Sequence, residues 1–250
     1  MQLSQNTLAI LKNYAGINSN LLIKPGSELR SVNEKGTILS IANIEEEFDH
    51  EIAIYDLNEF LNTIALFESP QLVIDAEKQY VTIAGDRSKV KYYLASIRVL
   101  SKKVVDFSEK NFSVSDPKVS FMLSQDDFGK LKKASSTFKF ENLSFVSTDG
   151  NSISAIVTDQ NIASSNSYEL DMGKSTIDNS VPFEMIISFD QMKFIPDDYM
   201  CNLYVLPSGA KISEFVAQNN DVRFFCGLDR ASTFGGDSQD SVMTSSEEEI

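Results

Sequence analysis

Apolar positions recur at helical spacing in two segments that match one another. Leu3-Ser4-Gln5 runs into Leu8, Leu11 and Lys12, and Leu123-Ser124-Gln125 runs into Phe128, Leu131 and Lys132. In each, the serine is a natural N-cap for the unpaired amides of a helix start. The leucine before it can pack on the apolar residue at the fourth helical position, Leu8 or Phe128, as a hydrophobic staple. Two helices with the same opening are predicted, with Gly16 and the Ser135-Ser136 pair as their stops. A second matched pair follows. Ile52-Ala53-Ile54 leads into Asp56-Leu57-Asn58-Glu59-Phe60, and Met185-Ile186-Ile187 leads into Ser188-Phe189-Asp190-Gln191-Met192. Both read as apolar strands entering a capping box, Asp56 with Glu59 and Ser188 with Gln191. Leu57, Phe60, Leu61 and Ile64 mark one apolar helix face, and the second helix is expected to be shorter because Pro196 stops it.

Alternating patterns predict strands over 20–24, 37–43, 71–75, 79–84 and 89–94 in the first half. In the second half they fall at 142–149, 152–158, 166–171, 199–206, 210–216 and 221–228. Asp149-Gly150-Asn151 reads as a hairpin turn, and Pro207-Ser208-Gly209 and Glu77-Lys78-Gln79 as further turns. Each half is thus helix, strands, strand-to-helix, strands. The fold class that follows is α+β, with two similar domains. The first spans 1–94 and the second 119–234. Between them, 95–118 is the connector, where Lys102-Lys103, Ser108-Glu109-Lys110-Asn111 and Asp116-Pro117 break the periodicity. Residues 235–250 read as an acidic disordered tail.

Composition narrows the function. The chain has 250 residues, is 42% hydrophobic and carries 17 Phe, so it can bury a sizeable core. No apolar run reaches the roughly 18 residues that span a bilayer. The opening residues lack the basic and apolar regions of a signal peptide, so a cytosolic protein is expected. His50 is the only histidine, which argues against Ser-His-Asp, Cys-His and His-rich metal chemistry. Cys201 and Cys226 make no CxxC pair and read as buried reduced thiols. No GxxxxGK[ST], GxSxG or HExxH occurs, so neither an enzyme nor a cofactor is expected. Glu45-Glu46-Glu47 with Asp49, His50 and Glu51 lacks an EF-hand glycine and a fixed ligand spacing, and reads as a solvated loop. The net charge of −14 is partly local, since 235–250 carries five acids and no base. What remains is still acidic, so any nucleic-acid contact must be confined to a small concentrated surface.

Several of these residues carry a resemblance. Leu3-Ser4 through Leu11-Lys12-Asn13, then Ile17-Asn18-Ser19 and Ala42-Asn43-Ile44, are similar to the opening of the sliding clamps of T-even-type bacteriophages. Ala53-Ile54-Tyr55-Asp56-Leu57-Asn58 with Phe60-Leu61, then Ala84 and Arg87-Ser88, resembles them most closely. The second half is looser: Leu131, Lys133 where the family has arginine, Ser135 and Met192-Lys193. The resemblance implies the DNA clamp fold: helices line a ring and antiparallel sheets lie outside. It implies a homotrimer around duplex DNA, without sequence preference, that tethers the replicative polymerase. It also implies an ATP-dependent clamp loader, late-transcription factors as further clients, no membrane, and a place in the cytoplasm of the bacterial host.

On that reading the DNA-facing candidates are Lys12, Lys130, Lys132, Lys133, Lys193, Arg87 and Lys89, while Lys91 and its neighbours can equally be a basic strand edge that resists aggregation. Gln2 and Gln5 stand where family members can carry lysine. The resemblance also implies an outer hydrophobic pocket for client tails. Val99, Leu100, Val104, Val105 and Phe107 of the connector, with Phe225 and Leu228 of the last strand, are its candidates; each can equally close the core. The alternative function is an acidic protein that mimics DNA and occupies nucleic-acid-binding proteins. The paired lysine-bearing helices argue against it.

Overall fold

The computed structural model describes residues 1–106, 116–159, 162, 164–177 and 180–235. The first half runs α1 (Gln5–Ile17), β1 (Leu21–Ile23), β2 (Gly26–Val32), β3 (Ile38–Phe48), β4 (Ile52–Ile54), α2 (Leu57–Ile64), β5 (Gln71–Asp75), β6 (Tyr80–Ala84) and β7 (Lys89–Tyr93). A 3-10 turn (Ile97–Val99) and the short α3 (Lys102–Val105) follow. The second half runs β8 (Val119–Leu123), α4 (Gln125–Phe138), β9 (Asn142–Ser147), β10 (Ser152–Thr158), β11 (Ser167–Lys174) and β12 (Phe183–Ser188). It ends with β13 (Tyr199–Val205), β14 (Lys211–Ala217), β15 (Val222–Gly227) and β16 (Thr233–Phe234).

The helix starts form as the capping pattern requires. Ser4 Oγ accepts from the Thr7 amide and Ser124 Oγ from the Asp127 amide, each at 3.1 Å. Asp56 accepts from the Glu59 amide at 3.0 Å. The Glu46 carboxylate adds a cap the sequence does not announce, accepting the Ser4 amide and the Thr7 hydroxyl. It draws one member of the acidic 45–51 run into α1's positive end, where a carboxylate is favoured.

Two helix ends differ from expectation. α1 passes Gly16 by one residue. α4 runs through Ser135-Ser136 to Phe138 and closes on Lys139 in the left-handed region, φ 61°. Ser135 serves that end instead of stopping it: its carbonyl receives the Phe140 amide at 3.1 Å and its hydroxyl donates to Phe140 O at 2.6 Å. The second helix of the second half is only a 3-10 turn, Phe189–Gln191. It stops well before Pro196, because Phe194 must turn inward. Its ring lies 4.5 Å from that of Phe215, 5.0 Å from Phe224, 5.1 Å from Tyr199 and 5.4 Å from Phe128.

β2 and β8 are strands that the alternation did not reveal. β2 mixes Glu28 and Arg30 with Leu29 and Val32, and β8 is buried at four of its five positions, so neither reads as a clean period of two. Both are edges of a six-stranded antiparallel sheet in the order β2-β3-β15-β14-β13-β8. The pairing of β15 with β3 in that sheet joins the halves.

The halves repeat strand by strand. β11-β10-β9-β12 form one sheet, and in the first half β2 pairs with β3, β1 pairs with β4 and β1 lies against β2. β5-β6-β7 matches β13-β14-β15. Even the flanks agree: Met1 exchanges main-chain bonds with Leu72 at 2.8 Å as β8 does with β13, and Ala95 donates to Ala53 as β16 pairs with β12. One apolar core runs through both halves, from Leu11, Tyr14 and Leu57 to Leu131, Phe145 and Phe224.

Candidate functional site

α1, α2 and α4 each bury one face in the common core and leave the other to solvent. The exposed stripe of α1 is Gln5, Ala9, Lys12 and Gly16, the spacing of one helix face. On α4 it carries Gly129, Lys130, Lys132, Lys133 and Ser136. α2 offers Asn58, Glu59 and Asn62 and no base.

The 3-10 segment bridges the two lysine-bearing helices. Lys193 Nζ donates to Gly16 O at 2.7 Å, and Asn13 Nδ2 donates to Lys193 O at 2.9 Å. The next residue, Phe194, packs against Phe128 of α4, whose ring also receives Lys132 Nζ at 5.1 Å. Lys12, Lys193, Lys132 and Lys133 are thereby held on one helical layer, all exposed. Lys130 is on the same layer but engaged: its ammonium meets Asp126 at 2.7 Å and Asp127 at 3.0 Å. The hydrogen bonds that its ammonium donates to Asp126 and Asp127 raise its pKa above the ordinary lysine range. Asn13, which ties α1 to this segment, stands in the sequence only as part of the resemblance and with no role assigned to it.

Arg87 and Lys89 lie on the β6–β7 hairpin and not on these helices. Arg87 sits in the β6–β7 turn. Lys89 opposes Ala84 on β6, whereas its neighbour Val90 opposes the fully buried Ile83. Directly opposed residues of an antiparallel pair share a face, so Lys89 points away from the helices.

The connector candidates divide. Leu100, Val104 and Phe225 are buried together in a second apolar cluster with Leu22, Val32, Leu39, Ile41 and Ala53, and Val105 packs against it. Val99 stands 58% exposed beside it. Leu228 does not join them; it packs on the main core, because β15 ends at Gly227 and the chain then turns to pair near β12. Phe107 lies outside the described residues. Beside this cluster is a cavity of ≈ 280 Å³ between Leu22, Pro25, Val32 and Val104, with Lys24 and Glu28 at its rim. Glu28 is paired with Arg30. Leu22, Pro25 and Lys24 become cavity residues only because α3 folds over β1 and β2, a tertiary contact without local signature.

Among the described residues no group of acids, cysteines and histidine could hold a metal ion. Cys201 and Cys226 are free and buried, and burial pushes both thiols up.

The family described as DNA polymerase processivity factor matches residues 4–104. The sliding clamp of Vibrio phage KVP40 is 29% identical over 220 residues, covering 86% of this chain and 94% of that protein. The sliding clamp of Enterobacteria phage T4 is 28% identical over 210 residues, covering 82% and 87%. The chain is similar to the phage sliding clamps over most of its length. Its fold is that of the solved DNA clamps. The proliferating cellular nuclear antigen of Entamoeba histolytica superposes with a TM-score of 0.63 at 13% identity, covering 90% of this chain and 95% of that one. The Helicobacter pylori beta clamp gives 0.63 at 12%, but the chain spans only 66% of its length. No helix among the described residues is long and apolar enough to cross a membrane.

Proposed function

We propose that the chain closes as a homotrimer around duplex DNA and tethers the replicative polymerase for processive synthesis. The observation that carries this reading is the single helical layer, drawn from both halves, that gathers Lys12, Lys132, Lys133 and Lys193 on an otherwise acidic chain. A ring does not need a strong grip. Each tight phosphate contact would have to break for it to slide, so a few exposed lysines inside an acidic body suit topological retention. The apolar cluster and cavity under α3 are the place for client tails, with Val99 exposed beside them. No nucleotide-binding loop is present in the sequence, so opening falls to a separate ATP-dependent loader. Late-transcription factors are further clients of the same pocket.

The test is retention on circular duplex DNA after loading, with release when the circle is cut. Direct competition with DNA for basic proteins, without retention on circles, would replace this reading with the DNA-mimic one.

A further inference from the structure

The cavity under α3 has a rim opposite in charge to the chain's last residues. α3 packs on β1 and β2, and the space of ≈ 280 Å³ beside them is lined by Leu22, Pro25, Val32 and Val104. Pockets that hold small ligands run from about 300 to 1,000 Å³, so this one has room for a pair of aliphatic side chains. Lys24 stands at its rim, and Lys102 and Lys103 belong to α3. All three are exposed and have no carboxylate partner among the described residues. Glu28 and Glu34 nearby are already engaged, Glu28 by Arg30 and Glu34 by the Ser101 hydroxyl at 3.0 Å and the Asn18 side-chain amide at 3.3 Å.

Residues 236–250 lie outside the described residues. Their sequence sets one apolar pair, Val242-Met243, between Asp237 and Asp240 on one side and Glu247-Glu248-Glu249 on the other, with no base. We infer that this segment docks in the cavity of its own chain and competes there with client tails. Val242 and Met243 enter the cavity while the flanking carboxylates meet Lys24, Lys102 and Lys103. This rests on the reading of the cavity as the client site and adds what regulates it.

The chain's own geometry puts the segment within reach. Phe225 belongs to the apolar cluster beside the cavity. From there the chain turns, with Ser232 N donating to Asp229 O at 3.0 Å, and pairs with β12 until Gly235 N donates to Pro182 O at 2.9 Å. A path of that length with a turn in it puts Gly235 within about 30 Å of Phe225. Val242 follows at up to about 25 Å from Gly235, and the whole segment to residue 250 spans up to about 50 Å.

Tethering makes a weak contact effective. A short flexible link holds its ligand at an effective concentration of about a millimolar, so the segment competes with a client even where the free peptide binds weakly. The two parts of the contact respond differently to salt. Exposed carboxylates on exposed lysines are screened, whereas the buried apolar pair is not.

The test is fluorescence anisotropy with a fluorescein-labelled peptide of residues 236–250, against the full chain and a chain ending at Gly235, each checked by thermal melt. The shortened chain should bind the peptide, less tightly as salt rises. The full chain should bind it roughly threefold or more weaker, because its own segment fills the site, and should bind the polymerase more weakly by the same factor. K102E/K103E, at exposed positions, should weaken peptide binding to the shortened chain by about fivefold or more, and V104D should abolish it. No binding by the shortened chain, equal binding by the two chains, or binding that neither variant alters overturns the docking. Polymerase binding unchanged by V104D overturns the client reading of the cavity instead, a result that the peptide titration does not share.

Discussion

Lys193 of the second half donates its ammonium to the carbonyl of Gly16, in the last turn of α1, at 2.7 Å. A cation there satisfies a carbonyl left over at the helix end and meets the negative end of the helix dipole. Lys193→Met keeps the aliphatic stem and removes the charge. Urea unfolding should show a loss of about 0.5–1 kcal/mol at low salt, and the deficit should shrink as salt rises. The same loss at all salt concentrations would mean that only packing is involved.

Lysines on the helical layer should differ in their effect on DNA retention. K132A/K133A should lower the salt concentration at which loaded chains leave circular DNA. Asp126→Asn should raise it, because it removes one of the two carboxylates that engage Lys130. Opposite shifts are the expected outcome, read as retention against salt.

Asp197 is 4% exposed and accepts from Asp198 N at 2.8 Å, Asn219 Nδ2 at 2.7 Å and Asn220 Nδ2 at 2.7 Å. Burial alone would raise its carboxyl, but the Asn220 and Asn219 donors outweigh burial and hold it below the usual range. A depressed folded-state pKa contributes stability that is present above the unfolded value of about 3.9 and lost as pH falls through the folded one. Asp197→Ala should cost about 3 kcal/mol near neutral pH. It should also flatten the acid limb of stability against pH, measured by chemical denaturation between neutral and strongly acidic pH.

Phe194 joins α4 to β13, β14 and β15 through four ring contacts. Phe194→Ala should cost about 3–5 kcal/mol in denaturant unfolding. It should also loosen Lys193 from Gly16, so amide exchange at the end of α1 should quicken.

Val104 is 8% exposed in the cluster beneath α3 and borders the cavity. Val104→Asp buries a charge there and should abolish binding of apolar client peptides, read by fluorescence anisotropy. Val104→Ala should weaken it by a smaller factor and leave the oligomer mass unchanged.

Elements that depend on neighbours along the chain were legible from residue order alone. Ser4 and Ser124 announced two helices because a cap and its amide lie three residues apart, and Leu57, Phe60, Leu61 and Ile64 announced α2 by one face. The duplication was legible for the same reason. Register and crossing were settled by contacts between distant segments. β2 and β8 became strands because partners supplied their bonds, not because their own residues alternate. Lys89 was sent to the face away from the helices by its place opposite Ala84, a pairing that charge cannot reveal. Leu228 went to the main core and Leu100 to the cluster under α3, although both are apolar and read alike. The pairing of β15 with β3 lies beyond any local rule, since it joins residues nearly a chain apart. Local rules act over a few residues, where the chain's own geometry brings groups together; contacts between distant residues are set by the packing of whole sheets.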